Sequence, residues 1–188
     1  MAEVGAKAYP GSQILPLYCA ETLLHQNAVN YENVERIEVR SITWKRNIAI
    51  IDPGPFTNAE QAHMSSPFGI ASMFVFGRFD MEILAQALGD PRVDALAQRI
   101  HFEAVQGSST PGGKFAEMEV WLKDGSCLTA DALEMPTERL KPDTWDVMVD
   151  RFQKMAPTLT EDKRKQIVQE VWELDQRPNS QALTMLLR

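Results

Sequence analysis

Apolar and polar positions along this chain change period several times, and each change marks an element. From Pro16 to about Gln26, Leu17, Ala20, Leu23 and Leu24 fall near one face, and Pro16 suits a first turn, so the spacing predicts a helix. Over Val34–Trp44, Ile37, Val39 and Ser41 alternate with charged Glu38 and Arg40, which predicts a strand with one solvated face. Asp52-Pro53-Gly54-Pro55 is a loop signal. Ser66–Arg78 is apolar nearly all round, with Phe68, Ile70, Met73, Phe74, Val75 and Phe76. A helix of that kind needs cover on most sides.

Met81–Leu88 and Pro91–Arg99 read as further helices, the second opened by Asp90 as N-cap and Pro91 at the first helical position. His101–Gln106 and Phe115–Lys123 read as strands. In the latter, Ala116, Met118, Val120 and Leu122 alternate with Glu117, Glu119, Trp121 and Lys123. Asp124-Gly125 then predicts a tight hairpin into Cys127–Leu133. The rest of the chain is helical only. Thr144–Met155 carries Trp145, Met148, Val149, Phe152 and Met155 at helical spacing, and Glu161–Asp175 carries Ile167, Val168, Val171 and Leu174. A short helix over Ser180–Leu187 ends the chain. Residues 1–13 read as an irregular leader broken by Gly5, Pro10 and Gly11. The fold expected is α+β, an antiparallel sheet with helices packed on one face, over residues 1–135. A helical tail follows over 136–188, with Met135–Pro142 as the linker.

Bulk properties narrow the function. The chain has 188 residues, 44% hydrophobic and 24% charged, with a formal net charge of -7. That balance, with no basic block, opposes a nucleic-acid partner. The longest apolar stretch, Phe68–Phe76, falls well short of the ~20 residues that span a bilayer, so no membrane partner is expected. Met1–Gly11 has no apolar core of a signal peptide, and Cys19 and Cys127 form no metal or redox spacing. An intracellular, cytoplasmic protein with reduced thiols is the expectation. His25 and His101 stand without ligand partners three or four residues away, so no metal is expected. Gly107–Lys114 is rich in Gly and Ser but lacks the spacing of a phosphate-binding loop, and reads as a flexible hairpin connection. No Gly-x-Ser-x-Gly or Cys–His arrangement points to a covalent nucleophile.

Several segments, in order, carry a resemblance. Lys7-Ala8-Tyr9-Pro10 looks like a K-x-[YF]-P opening, and Glu35-Arg36-Ile37-Glu38-Val39 like the strand that follows it. Ala62-His63-Met64-Ser65-Ser66-Pro67-Phe68-Gly69-Ile70-Ala71 looks like A-[RK]-x-S-x-P-Y-x-x-A. Asp90 to Ile100 looks like D-P-x-V-x-x-L-A-x-R-V, and Arg151-Phe152 sits where Lys-Phe is usual. Together these resemble the C-terminal part of the MmgE/PrpD family. The resemblance implies a chorismate-mutase-like lid followed by helices that return to a helical domain. It implies an active site between the two domains and cofactor-free chemistry on small polycarboxylates: dehydration, decarboxylation or epimerisation. Such chemistry needs donors that hold carboxylates and a positioned acid or base. The helical domain does not precede the lid in this sequence, so the expectation is a stand-alone lid. Lys7, Tyr9 and Ser65 match the pattern. Ser12 and Pro16 stand where members carry histidines, Phe68 replaces the tyrosine, and His63 replaces the basic residue. The scaffold is therefore expected to be kept more fully than the proton chemistry.

The candidate catalytic residues are His63, Lys7 and Tyr9; the candidate substrate-binding residues are Ser12, Ser65, Ser66, Phe68 and Phe74. Each has a plainer account: a solvated lysine, a helix-end histidine, serines that only cap a helix, phenylalanines that only pack. Three functions compete. One is a cofactor-free isomerase, cyclase or lyase working on a small apolar or carboxylate-bearing molecule in an apolar pocket. Another is one subunit of a split polycarboxylate dehydratase or decarboxylase, and the third a non-catalytic binding or assembly module. In a full-length relative Trp145, Val149, Phe152, Ile167, Val171 and Leu174 would bury on the helical domain. Left in water they favour association, so a homodimer is expected.

Overall fold

The structure is a computed structural model that describes residues 13–27, 29–43, 51–107, 109–133 and 144–187. The leader through Ser12, Trp44 at the end of the first predicted strand, and the Met135–Pro142 linker lie outside the described residues. Contacts divide the chain into two units, with residues 13–133 in one and 144–187 in the other.

In the first unit the elements run α1 (Ile14–Asn27), β1 (Val34–Thr43), α2 (Ala59–Met64), α3 (Ser66–Phe76), α4 (Met81–Ala87) and α5 (Pro91–Ala97), then β2 (Ile100–Gln106), β3 (Ala116–Leu122) and β4 (Cys127–Ala132). The class is α+β, as the periodicity predicts. The four strands lie in the order β2-β1-β3-β4. β3 pairs antiparallel with both β1 and β4, and the Asp124-Gly125 turn closes the β3–β4 hairpin. Gly125 takes φ 85°, and Asp124 Oδ1 accepts from the Ser126 N–H at 2.9 Å.

The sheet corrects the expectation of a wholly antiparallel array, because β1 and β2 run parallel, Ile37 beside Ile100. The physical reason is the connection. Among the described residues four helices intervene between these strands, and a crossover of that length returns the chain to the same end of the sheet, as no tight turn can. The Gly/Ser-rich loop after Gln106 is likewise not a hairpin connection. It joins β2 to β3, which flank β1 on opposite sides.

Alternation along the strands sorts the sheet into two faces. Ile37, Val39 and Ser41 of β1 are buried beside Ala116, Met118 and Val120 of β3 and Ala130 and Ala132 of β4. On the other face Arg40 meets Glu103 at 3.3 Å and Glu117 at 3.9 Å, and the Arg36 guanidinium lies 4.4 Å from the Trp121 ring centroid. These exposed pairs stabilise little individually. On the buried face α1 packs against β1, β3 and β4, and α3 packs against β2, α1 and α5. Cys19 of α1 is fully buried there. Burial first, then the nearby Asp131 carboxylate, pushes its thiol up to about 12.

Helix ends follow the chemistry read from the sequence. Asp90 accepts from the Arg92 N–H at 2.8 Å as the cap read there, and Asp80, a cap not singled out in the sequence, accepts from the Ile83 N–H at 2.9 Å. The Arg92 side chain also hydrogen-bonds Asp90 and holds its carboxyl below the usual carboxylate range. Asp94 behaves oppositely: burial, then the neighbouring Asp90 charge, raises its carboxyl.

The second unit holds α6 (Trp145–Met155), α7 (Glu161–Trp172) and α8 (Gln181–Leu186). Thr144 and Thr160 cap the first two, and Arg164 Nη1 donates to the carbonyls of Ala156 and Leu159 at 3.0 and 2.8 Å, bracing the turn between them. Trp145 and Trp172 lie with ring centroids 4.9 Å apart. Of the apolar stripe read from the sequence, Ile167 is buried, Trp145, Val149 and Phe152 are half-buried, and Val171 and Leu174 are exposed.

Candidate functional site

The motif Ala62 to Ala71 folds into two helices meeting at a sharp turn. Asn58 opens α2, its Oδ1 accepting from the N–H groups of Glu60 and Gln61 at 2.8 and 3.4 Å. The short helix ends at Ser65, whose N–H donates to the Ala62 carbonyl at 3.1 Å. Ser65 is extended, so the chain turns there and α3 begins at once, with Pro67 in its first turn where no N–H is needed. Ser65 Oγ accepts from the Phe68 N–H at 3.1 Å and donates to the Asp52 carbonyl. Gln13, fully buried ahead of α1, donates from Nε2 to the His63 carbonyl at 3.0 Å. The turn is thus tied both to the loop at Asp52 and to the start of α1.

This arrangement brings together His63, Ser65 and Ser66 among the sequence candidates. His63 is half-buried at the end of α2. Ser65 is fully buried, with its hydroxyl engaged as donor and acceptor, which is the capping account of that residue. Ser66 is equally buried, and its Oγ has no protein partner among the described residues; Gln13 Oε1 shares that state. Gln13 Oε1 lies against Gly69, where an added Cβ would come within 3.3 Å of it. A side chain at Gly69 would press on the Gln13 amide, the Phe79 ring and Leu17, so the glycine lets α1 and α3 pack closely around a buried amide. Gln13 has no signal in the sequence, where it reads as the last residue of an irregular leader.

Phe68 and Phe74 are placed differently from the expectation. Both are core residues, Phe68 at 0% exposure and Phe74 at 3%. The Phe68 ring meets Phe56 and Phe79 edge-on, with centroids 5.9 and 6.3 Å away. Aromatic rings packed this way fill space rather than line it, because α1, α5 and the loop carrying Phe56 supply the cover that an apolar helix demands. Lys7, Tyr9 and Ser12 lie outside the described residues.

The concave surface lies on the other side of α2. A half-open cleft of about 700 Å³ is bounded by the loop with Asp52 and Phe56 and by Asn58, Glu60, Gln61 and Met64. At 100° per residue, Glu60 and Met64 lie opposite buried Ala62, while Gln61 and His63 project to opposite flanks of α2, and Gln61 is the one of these two that lines the cleft. The cleft and the His63–Ser66 turn are therefore two sides of one short segment. A smaller hollow of about 230 Å³ on the open sheet face is lined by Glu38, Arg40, His101 and Glu103. Among the described residues no group of three or more His, Cys, Asp or Glu side chains is placed to hold a metal ion. Among the described residues no helix is long and apolar enough to cross a membrane.

The family model of the MmgE/PrpD C-terminal domain matches residues 16–174. No curated protein matches the chain.

Proposed function

The chain belongs to the MmgE/PrpD family through its C-terminal domain, and from that premise we propose that it acts as a lid-type domain in cofactor-free lyase, isomerase or cyclase chemistry on a small molecule. The observation that carries this reading is the doubly tied turn at His63–Ser66. Gln13 fixes the backbone at His63, Ser65 fixes the start of α3, and His63 is half-buried at the end of the same short helix whose Glu60, Gln61 and Met64 line a ligand-sized cleft. Histidine is the side chain that most readily changes charge near neutrality, and a fixed backbone holds it where proton transfer needs it. The apolar part of the site comes from Phe56 and Met64 rather than from α3.

A direct test is solvent-deuterium exchange into a panel of small acids, ketones and amines, followed by NMR. The wild-type chain is expected to exchange a C–H beside a carbonyl or carboxylate in at least one member. His63→Ala should lower that rate by about 10²-fold or more with an unchanged thermal midpoint. A wild-type rate indistinguishable from buffer across the panel sinks the enzymatic reading.

A second reading, one subunit of a split polycarboxylate dehydratase or decarboxylase, is favoured by the exposed Val171, Trp172 and Leu174. It predicts that a helical polypeptide co-purifies with the chain from its native source and covers these residues against labelling.

A further inference from the structure

We propose that Gln13 is a positioning residue for His63, whose side-chain donor orders the turn at a cost to the stability of the fold. The inference rests on the enzymatic reading for the task of His63 and adds the residue that holds it in place. Gln13 stands just ahead of α1 and is fully buried. Its Nε2 donates to the His63 carbonyl at 3.0 Å, across 50 positions of chain. That carbonyl lies near the end of a helix of only six residues. So short a helix has little hold of its own on its last residues, and a bond from a packed neighbour decides where they sit.

The other end of the same amide is buried with no protein partner among the described residues. Gln13 Oε1, the Phe79 ring and Leu17 all lie within 3.4 Å of the place that a Cβ on Gly69 would take. The oxygen therefore faces apolar groups. A buried acceptor without a donor weighs against folding, whereas an apolar side chain of the same length fills the space without that cost. For volume alone, methionine would serve better than glutamine. What glutamine adds is one N–H aimed at one carbonyl. The same contact fixes which way the amide lies: turned over, it would set Oε1 against the His63 oxygen, acceptor against acceptor. A polar group that lowers stability while ordering a site residue is expected where a fold serves chemistry.

Two variants of the full ¹⁵N-labelled chain separate the donor from the volume. Gln13→Met keeps the length and removes the donor. In urea it is expected to be as stable as the wild type or more so, yet the backbone amides of residues 63–66 should shift and exchange with solvent about tenfold faster. For a substrate into which the wild type exchanges deuterium, kcat should fall about tenfold with KM unchanged, because the substrate's own contacts remain. Gln13→Glu is a conditional donor. Protonated, it donates an O–H to the His63 carbonyl, and the amides should lie at their wild-type positions. Ionised, it should give the spectrum of Gln13→Met, with the changeover above the ordinary carboxylate range because burial raises the carboxyl. A Gln13→Met chain whose unfolding constant rises more than about tenfold overturns the inference, because Gln13 is then an ordinary stabilising bond. So do amides of residues 63–66 that stay in place, or a Gln13→Glu chain with no changeover. The two proposals fail separately. If the amides respond as expected but the wild type exchanges no substrate, only the enzymatic reading falls; if Gln13→Met keeps the wild-type kcat, only this inference falls.

Discussion

Helices α3 and α7 are of similar length, 11 and 12 residues, yet they meet water differently. Every residue of α3 from Ser66 to Phe74 is buried, with Phe68, Ile70 and Ala71 at no exposure at all. In α7 only Ile167 is buried, and Trp172 is 58% exposed. The sequence of α3 offers no polar face, so the first unit wraps it with α1, α5 and the Phe56 loop. The stripe of α7 is amphipathic and tolerates partial solvation, so it keeps apolar surface free where α3 cannot. Among the described residues most of the exposed large apolar side chains lie in the tail, although Tyr18, Ile51, Met81 and Leu133 of the first unit are exposed as well.

The strongest way to break this comparison is to truncate one aromatic from each helix. Phe68→Ala should cost about 3–5 kcal/mol in urea unfolding, because a fully buried ring in contact with two others leaves a cavity. Trp172→Ala should cost only about 1 kcal/mol, the loss of its ring pair with Trp145. Equal losses would mean that Trp172 is covered in solution and the contrast is false. A smaller effect is expected at the start of α3. Ser65→Ala removes the cap and the bond to Asp52, and should cost about 1–2 kcal/mol, with faster hydrogen exchange at the Phe68 amide. No change at that amide would show that the turn is held by packing alone.

The smallest effect tests the cover itself, through α5. Asp94 holds its proton to higher pH in the folded chain than when unfolded, because burial and Asp90 raise it. It therefore favours the fold at acid pH, and that contribution is lost as pH rises through the raised value. Asp90 runs the other way: its lowered value supports the fold above the ordinary carboxylate range and is lost as pH falls through that value. Asp94→Asn should thus raise the thermal midpoint near neutrality, by more than it does in acid. A midpoint that falls equally at both would show that Asp94 makes a specific bond needed by α5.

Much of this was legible because local chemistry decides it. Asp90-Pro91, Ser65 and Asp124-Gly125 each fix an element end through bonds made within three residues. Alternation at Ile37, Val39 and Ser41 identified the buried face of β1, because a strand's two faces are written in its period. Strand direction was not legible: the partner of β1 is chosen by a long helical crossover, and no residue of β1 or β2 records it. Helix α2 escaped notice because six residues with a single buried alanine give no periodic signal. At the candidate site, His63, Ser65 and Ser66 were singled out through their motif. The role of Gln13 depends on a contact spanning 50 positions, and the fate of Phe68 on rings brought from Phe56 and Phe79. Such long-range contacts follow from the fold and have no local trace.

Cys19 carries a consequence for kinetics. Thiolates, not thiols, react with alkylating reagents, and a thiol pushed up to about 12 and sealed beneath the sheet is inert at neutral pH. Cys127, half-buried on the edge strand, is the more reachable of the pair. A pulse of alkylating reagent will therefore mark Cys127 in the closed molecule and Cys19 only after α1 parts from β3 and β4. The chain carries an internal clock for that separation, wound by the packing of one helix on one sheet.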